Sequence, residues 1–125
     1  MTTATQTTID MMYWLPYCST CVKAEQFLLD KGVKIKRFVN LKEERLSRAE
    51  VEKLVRLIGG AEKLFSKRAM KYRSMGLDKM TLTEEDMIRY MTEEYTFIKR
   101  PVIVLSDQRI LAGFSAKQYL QLLTK

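Results

Sequence analysis

The feature that most constrains this chain is its cysteine spacing, because the only two cysteines, Cys18 and Cys21, lie three positions apart. The run before them, Ile9–Leu15, is almost entirely apolar and ends at Pro16, which predicts a short buried strand. The segment after Cys21 has helical spacing and ends at Gly32. We therefore expect a strand–turn–helix unit, with Cys18 at or just before the first helical turn and Cys21 one turn further in.

This placement favours redox chemistry at the cysteine pair. Unbonded backbone N–H groups and the positive end of the helix dipole stabilise a thiolate at the start of a helix. A lowered pKa would make Cys18 the nucleophile, because the thiolate is the attacking species. Cys21 is near enough to release a mixed disulfide by closing a Cys18–Cys21 disulfide.

Three other interpretations of the pair stay open at this point. Two inert buried thiols would be ordinary, because free cysteine packs as a small hydrophobic residue. A structural zinc site needs four Cys or His ligands, whereas the chain has two cysteines and no histidine, so we expect no bound metal. A structural disulfide across so short a loop would restrict the unfolded chain very little.

Length and composition predict a single globular domain. A chain of 125 residues, 46% hydrophobic and 30% charged, is long enough for one core but not for two. Residues 1–8 are polar, threonine-rich and unlike a secretory signal, so we expect a flexible tail before a domain at residues 9–125. No apolar run is long enough to span a membrane, and the cysteine spacing favours a cytoplasmic protein.

The net charge of +7 is concentrated in the middle of the chain. Residues 34–73 hold thirteen Lys or Arg against five Asp or Glu, and the remainder is nearly neutral. This region can be solvated helix surface, or it can be a surface for an anionic substrate or an acidic protein partner. No nucleic-acid-binding motif accompanies it, so we expect no direct contact with nucleic acid.

The rest of the chain predicts a completed β-α-β unit, three helices and a β-β-α unit. Alternating apolar and basic residues in Val33–Val39 indicate a second strand, parallel to the first. Ser47 and Thr83 have the sequence context of helix N-caps. The later predicted elements are helices from Ser47 to Ile58, from Ala61 to about Tyr72 and from Thr83, strands at Val102–Leu105 and Ile110–Ala112, and a final helix capped by Ser115.

Three motifs in this order resemble the arsenate reductase (ArsC) and Spx family. They are Pro16–Cys21, Phe65–Arg68 and Lys99–Val104, and the resemblance covers roughly Ile9 to Leu123. The resemblance implies an α/β, thioredoxin-like fold in which a mixed four-stranded sheet is flanked by helices. Its order would be βαβ, a helical insertion at about residues 43–98, and ββα.

The resemblance also implies roles for individual residues. Cys18 corresponds to the family's catalytic cysteine, Arg100 to the arginine before the family's cis-proline, and Pro101 to that proline. Arg68 corresponds to the arginine of the Ser-x-Arg segment in Spx proteins, and with Arg100 it is expected to bind anions. Gly60 corresponds to the glycine through which Spx contacts the C-terminal domain of the RNA polymerase α subunit.

The chain departs from the arsenate reductases that it resembles, because Val22 and Gly113 stand where that branch carries arginines. An oxyanion needs several converging donors, and guanidinium groups supply them best. Three functions follow. The preferred one is a thiol–disulfide enzyme acting on a small oxyanion such as arsenate or on a protein disulfide, with glutathione and glutaredoxin or thioredoxin as electron donor. The others are an Spx-like redox-sensing transcriptional regulator and a relative without thiol chemistry.

Overall fold

The computed structural model describes residues 8–123. The flexible tail predicted at residues 1–8 lies outside this range except for Thr8, which begins the first strand. The described chain separates into two compact units, one made of residues 8–40 and 100–123 and the other of residues 41–99. The single domain with an insertion at about residues 43–98 stays a prediction. No helix in residues 8–123 is both long and apolar enough to cross a membrane.

The elements follow the predicted order of β-α-β, helices, and β-β-α, which confirms the α/β class. In chain order they are β1 (Thr8–Trp14), α1 (Ser19–Asp30), β2 (Lys34–Ile35), β3 (Phe38–Asn40), α2 (Arg48–Ile58), α3 (Ala61–Leu64), α4 (Met70–Ser74), α5 (Glu84–Glu93), β4 (Val102–Leu105), β5 (Ile110–Ala112) and α6 (Ala116–Leu123). Short 3₁₀ helices lie at Leu77–Lys79 and Tyr95–Phe97.

β1 is the central strand of the mixed sheet in the first unit. It pairs in parallel with β2 and β3 and antiparallel with β4, and β5 pairs antiparallel with β4. Parallel neighbours need a crossover connection, which α1 supplies. Tyr13 near the end of β1 lies opposite Val102 at the start of β4. The segment after β1 and the segment before β4 therefore meet at the same edge of the sheet.

The core of the first unit joins both of its helices to the sheet. Cys21, Ala24 and Leu28 are buried at helical spacing and define the inward face of α1. The buried core cluster contains Ile9, Met12, Ala24, Leu28, Val33, Ile103, Leu105 and Tyr119, drawn from β1, α1, the α1–β2 loop, β4 and α6. The packing that fixes α1 therefore also turns the thiol of Cys21 inward.

The strand predicted at Val33–Val39 is interrupted at Lys36 and Arg37, although both pieces pair with β1. Backbone bonding continues through the break. The N–H of Lys36 donates to the carbonyl of Ile9 at 2.8 Å, and the N–H of Met12 donates to the carbonyl of Arg37 at 2.9 Å. The sheet thus has five strand segments at four positions, because β2 and β3 share one side of β1.

Two capping boxes begin the longer helices of the second unit, as the sequence predicts. Before α2, the Ser47 hydroxyl accepts from the Glu50 N–H at 3.2 Å, and the Glu50 carboxylate accepts from the Ser47 N–H at 2.8 Å. Thr83 and Asp86 make the equivalent pair of bonds before α5, each at 3.0 Å. Each box satisfies two backbone N–H groups that the helix itself cannot bond.

The single helix predicted from Ala61 to about Tyr72 is wrong. α3 ends at Leu64, and Phe65 takes an extended conformation that forms an isolated antiparallel bridge with Ile98. The ring of Phe65 stacks on Phe97 with 5.2 Å between centroids, and the Ser66 N–H donates to the Phe97 carbonyl at 2.6 Å. These contacts join segments more than thirty residues apart, and they outweigh the local helical preference of the sequence.

Candidate active site

Cys18 is the N-cap residue of α1, one position before the first helical residue. The Cys18 N–H donates to the Leu15 carbonyl at 3.2 Å, and this bond closes the turn before the helix. Its carbonyl accepts the first helical bond, from the Val22 N–H at 3.0 Å. Cys18 is partly exposed, Cys21 is fully buried, and both are free thiols. The sequence placed Cys18 correctly, at the start of the helix.

The surroundings of Cys18 favour its thiolate. Partial burial raises the pKa of Cys18, but hydrogen bonding with the thiol and backbone of Cys21 and the positive charge and hydrogen bonding of Arg100 lower it by more. The net result is a pKa below the ordinary value of 9.0. Cys18 is therefore the more easily ionised thiol of the pair, and it is also the one that solvent can reach.

Cys21 has the opposite environment. Burial is the largest influence and raises the pKa of Cys21 to about 12, which outweighs the backbone hydrogen bond with Leu15 and the charge of Arg100. Hydrogen bonding and charge repulsion from Cys18 act in the same direction as burial. At neutral pH Cys21 is a protonated thiol that donates toward Cys18. The sequence did not identify Leu15, whose backbone contacts both cysteines; its place just before Pro16 in the turn is the signal that could have done so.

Arg100 reaches Cys18 because of the strand pairing. Pro101 comes directly before β4, whose start lies beside the end of β1. The Arg100–Pro101 peptide bond is cis, the conformation that the resemblance implies. The Pro101 carbonyl accepts a hydrogen bond from the Gly113 N–H at 2.8 Å. Cys18, Cys21, Arg100 and Pro101 thus come together in the first unit.

The arrangement brings together an exposed, easily ionised thiol, a second, buried thiol and a cation. The Cys18 thiolate can attack an electrophilic sulfur or another thiol-reactive centre. Cys21 lies one helical turn away and can displace whatever is bound to Cys18 by closing the disulfide. The guanidinium of Arg100 can stabilise negative charge on Cys18 or on a bound anion. Within residues 8–123, no group of three or more His, Cys, Asp or Glu side chains is placed to hold a metal ion.

Arg68 and Gly60 belong to the second unit. Arg68 is exposed between α3 and α4, and its backbone N–H donates to the Ser66 hydroxyl at 3.3 Å. Gly60 lies between α2 and α3 with φ of +144°, and its N–H donates to the Val55 carbonyl at 3.0 Å. The anion-binding role of Arg68 and the partner-contact role of Gly60 stay predictions.

Comparison with known proteins gives a consistent result. A model of the ArsC family matches residues 13–122. Protein YusI of Bacillus subtilis is 28% identical over 110 residues, covering 86% of this chain and 92% of YusI. The global transcriptional regulator Spx of Staphylococcus epidermidis is 23% identical over 105 residues, covering 83% of this chain and 79% of Spx. The structure of arsenate reductase from Vibrio cholerae superposes with a TM-score of 0.77 at 20% identity, covering 92% of this chain and 97% of that one.

Proposed function

The chain belongs to the ArsC family, and on this premise we propose that it is a thiol–disulfide redox protein with Cys18 as nucleophile and Cys21 as resolving thiol. Membership confirms the family and the thioredoxin-like fold predicted from the three sequence motifs. The relatives include proteins named as arsenate reductase and as transcriptional regulator, so the family alone leaves the activity open.

The observation that supports the proposal is the difference between the two thiols. Cys18 is partly exposed with a lowered pKa, whereas Cys21 is buried with its pKa raised to about 12. In a disulfide exchange the exposed thiolate attacks first, and the buried thiol reacts only after the covalent intermediate has formed. Inert cysteines would not need a guanidinium beside one of them, and a metal site would need further ligands.

With a disulfide substrate, the Cys18 thiolate attacks one sulfur and the other sulfur leaves as a thiolate. Cys21 then loses its proton and attacks Cys18, which releases the second substrate sulfur and forms the Cys18–Cys21 disulfide. Two electrons pass from the protein to the substrate. With arsenate or a related oxyanion, the Cys18 thiolate bonds to the arsenic and one arsenic oxygen leaves as water. Cys21 then attacks the Cys18 sulfur, the sulfur–arsenic bond breaks, and the arsenic leaves with the electron pair as arsenite. Glutathione with glutaredoxin, or thioredoxin, then reduces the protein, which places the cycle in the reducing cytoplasm.

Arg100 has a defined task in either cycle. Its guanidinium stabilises the attacking thiolate, and it also provides a hydrogen-bonding fork for an oxyanion or for the carboxylate of a glutathione-like substrate. Arg68 is proposed as a second anion ligand on the basis of the family motif. No bound cofactor is required, because the electrons come from the thiols themselves.

The experiment that tests this function is substrate-dependent oxidation of NADPH. Arsenate and a glutathione mixed disulfide would be supplied separately, and each would be coupled through glutaredoxin and through thioredoxin. We expect wild type to raise the rate of NADPH oxidation above that of the coupling system alone with at least one substrate, and Cys18→Ser to add nothing to it. Without glutathione, Cys21→Ser should stop after one covalent adduct. Turnover by Cys18→Ser at the wild-type rate would contradict the proposal, and no turnover with an unperturbed Cys18 would indicate a relative without thiol chemistry.

A second candidate is a redox-sensing regulator like Spx, and the match to Spx over 83% of this chain favours it. In that function the state of the cysteine pair controls binding of the C-terminal domain of the RNA polymerase α subunit, and Gly60 is a contact residue. The test is binding of that domain to the reduced and the oxidised protein, with Cys18→Ser as the variant that cannot switch. Absence of binding in both states would exclude this candidate.

A further inference from the structure

Two hydrogen bonds in series connect Tyr119 on α6 to the residue beside Arg100. The Tyr119 hydroxyl donates to the Gly113 carbonyl at 3.0 Å, and the Gly113 N–H donates to the Pro101 carbonyl at 2.8 Å. Pro101 is bonded covalently to Arg100, whose guanidinium stabilises the Cys18 thiolate. We propose that Tyr119 is a positioning residue for Cys18, because it fixes Gly113, and through Gly113 and Pro101 it keeps Arg100 in place.

The Tyr119 ring is held firmly enough to act as an anchor. Its side chain is 0% exposed, and it makes edge-to-face contacts with Phe114 and Phe27, at 4.9 and 5.9 Å between centroids. Its backbone N–H donates to the Ser115 carbonyl at 2.9 Å, which fixes the start of α6. A buried hydroxyl needs a partner, and the Gly113 carbonyl is the one that this packing presents.

Gly113 connects Tyr119 to Pro101 because its carbonyl accepts from the Tyr119 hydroxyl and its N–H donates to the Pro101 carbonyl. It has φ of +85°, and a Cβ built on it would meet no heavy atom within 4 Å. Glycine is therefore required by the backbone conformation and not by lack of space. A residue with a side chain would strain the loop between β5 and α6 without causing a clash, so Gly113→Ala tests the backbone link separately from Tyr119.

The Tyr119 hydroxyl stays a donor throughout the pH range in which Cys18 ionises. Burial, with a smaller contribution from the charge of Cys21, raises the pKa of Tyr119 above its ordinary value. The ionisable groups that act on Cys18 are Cys21 on its own helix and Arg100 before β4. Loss of the hydroxyl can reach Cys18 through the position of Arg100 or through Cys21, and Gly113→Ala, which retains the hydroxyl, tests the first route alone.

The inference rests on the proposed role of Cys18, and the test separates the two claims. Tyr119→Phe keeps the ring and removes only the hydroxyl. The rate of Cys18 alkylation by iodoacetamide would be measured against pH for wild type and variant, together with urea denaturation. We expect the inflection of the variant to move to higher pH, so that its alkylation rate at pH 7 falls by about threefold or more.

Controls decide between a positioning role and a merely structural one. Tyr72→Phe, in the second unit, removes a hydroxyl from a half-buried ring that contacts Phe65, and we expect it to leave the alkylation profile unchanged. If Tyr119→Phe does not fold, Gly113→Ala retains the hydroxyl and is expected to shift the profile in the same direction. A less stable Tyr119→Phe with an unchanged profile would overturn the inference alone, whereas an ordinary Cys18 pKa in wild type would overturn the proposed function as well.

Discussion

Replacing Cys18 by serine leaves Cys21 as the only thiol, and its reactivity can be estimated from the structure. Burial raises the pKa of Cys21 to about 12, against an ordinary value of 9.0. A difference of about three units corresponds to roughly 1,000-fold less thiolate at neutral pH. The thiolate is the reactive form, and Cys18→Ser keeps the burial of Cys21 but removes the smaller contribution of Cys18 to this shift. We therefore expect folded Cys18→Ser to be alkylated up to roughly 1,000-fold more slowly than the same chain unfolded.

The assay is alkylation by iodoacetamide at pH 7.5, carried out in buffer and in concentrated urea. The extent of alkylation is measured from the intact mass of the protein. Cys21→Ser is the matched variant, because it retains Cys18 in its exposed position. Folding of Cys18→Ser should be preserved, because serine is a preferred N-cap residue and position 18 caps α1. We expect Cys21→Ser to react rapidly when folded and Cys18→Ser to react appreciably only in urea.

Rapid alkylation of folded Cys18→Ser would show that burial does not suppress the reactivity of Cys21. If folded Cys18→Ser were alkylated within about tenfold of its unfolded rate, burial would not be controlling Cys21, and the assignment of one attacking and one waiting thiol would fail. Circular dichroism of the variant would show whether loss of structure was the cause. If Cys21 reacts rapidly while the variant remains folded, Cys18 is not distinguished from Cys21 as the attacking thiol.

Three further predictions follow from the same structure. Arg100→Gln should raise the pKa of Cys18, because it removes the positive charge beside the thiolate, and thiolate absorbance against pH would measure the change. Ser47→Ala and Thr83→Ala should each reduce the free energy of unfolding by about 1 kcal/mol in urea denaturation, because each removes one capping bond. The folded state holds the Cys21 proton more tightly than the unfolded state, so this group should not affect stability below about pH 9. Between about pH 9 and 12 the free energy of unfolding of wild type should fall, relative to Cys21→Ser, by at most about 1.4 kcal/mol per pH unit.

Matched variants give these predictions their controls. Lys117→Gln removes an exposed charge from α6 and should leave the Cys18 titration unchanged, so an equal shift in both variants would indicate a general charge effect. Thr81→Ala removes an exposed hydroxyl before the second capping box and should change stability by less than about 0.5 kcal/mol. If the difference in unfolding free energy between wild type and Cys21→Ser did not change with pH, the pKa of Cys21 would be the same in the folded and unfolded states.

Local patterns were sufficient for elements whose causes are local. Ser47 and Thr83 each accept the predicted bond from the third residue of their helix, and the Ser115 hydroxyl accepts from the Gln118 N–H at 3.3 Å before α6. The continuous apolar run before Ser106 gave β4 its correct bounds. The placement of Cys18 at the helix start depended in the same way on neighbouring residues.

The failed helix prediction arises from a contact between distant parts of the chain. The helix predicted through Phe65 ends before that residue because Phe65 pairs with Ile98. No pattern in residues 61–72 indicates this partner. Tyr119 carried only the apolar spacing of a final helix, and its bond to Gly113 depends on how α6 packs in the core. The proximity of Arg100 to Cys18 was predicted from the family motif, and the pairing of β1 with β4 supplies its physical reason.

Disulfide exchange by this protein is tested most simply by identifying the sulfur that attacks first. Reduced wild type, Cys18→Ser and Cys21→Ser would each be mixed with glutathione disulfide, quenched with acid and mapped by peptide mass spectrometry. We expect a stable glutathione adduct on Cys18 in Cys21→Ser, a Cys18–Cys21 disulfide in wild type, and no adduct in Cys18→Ser. An adduct that forms on Cys21 in the folded protein, or wild type that remains fully reduced, would contradict this expectation.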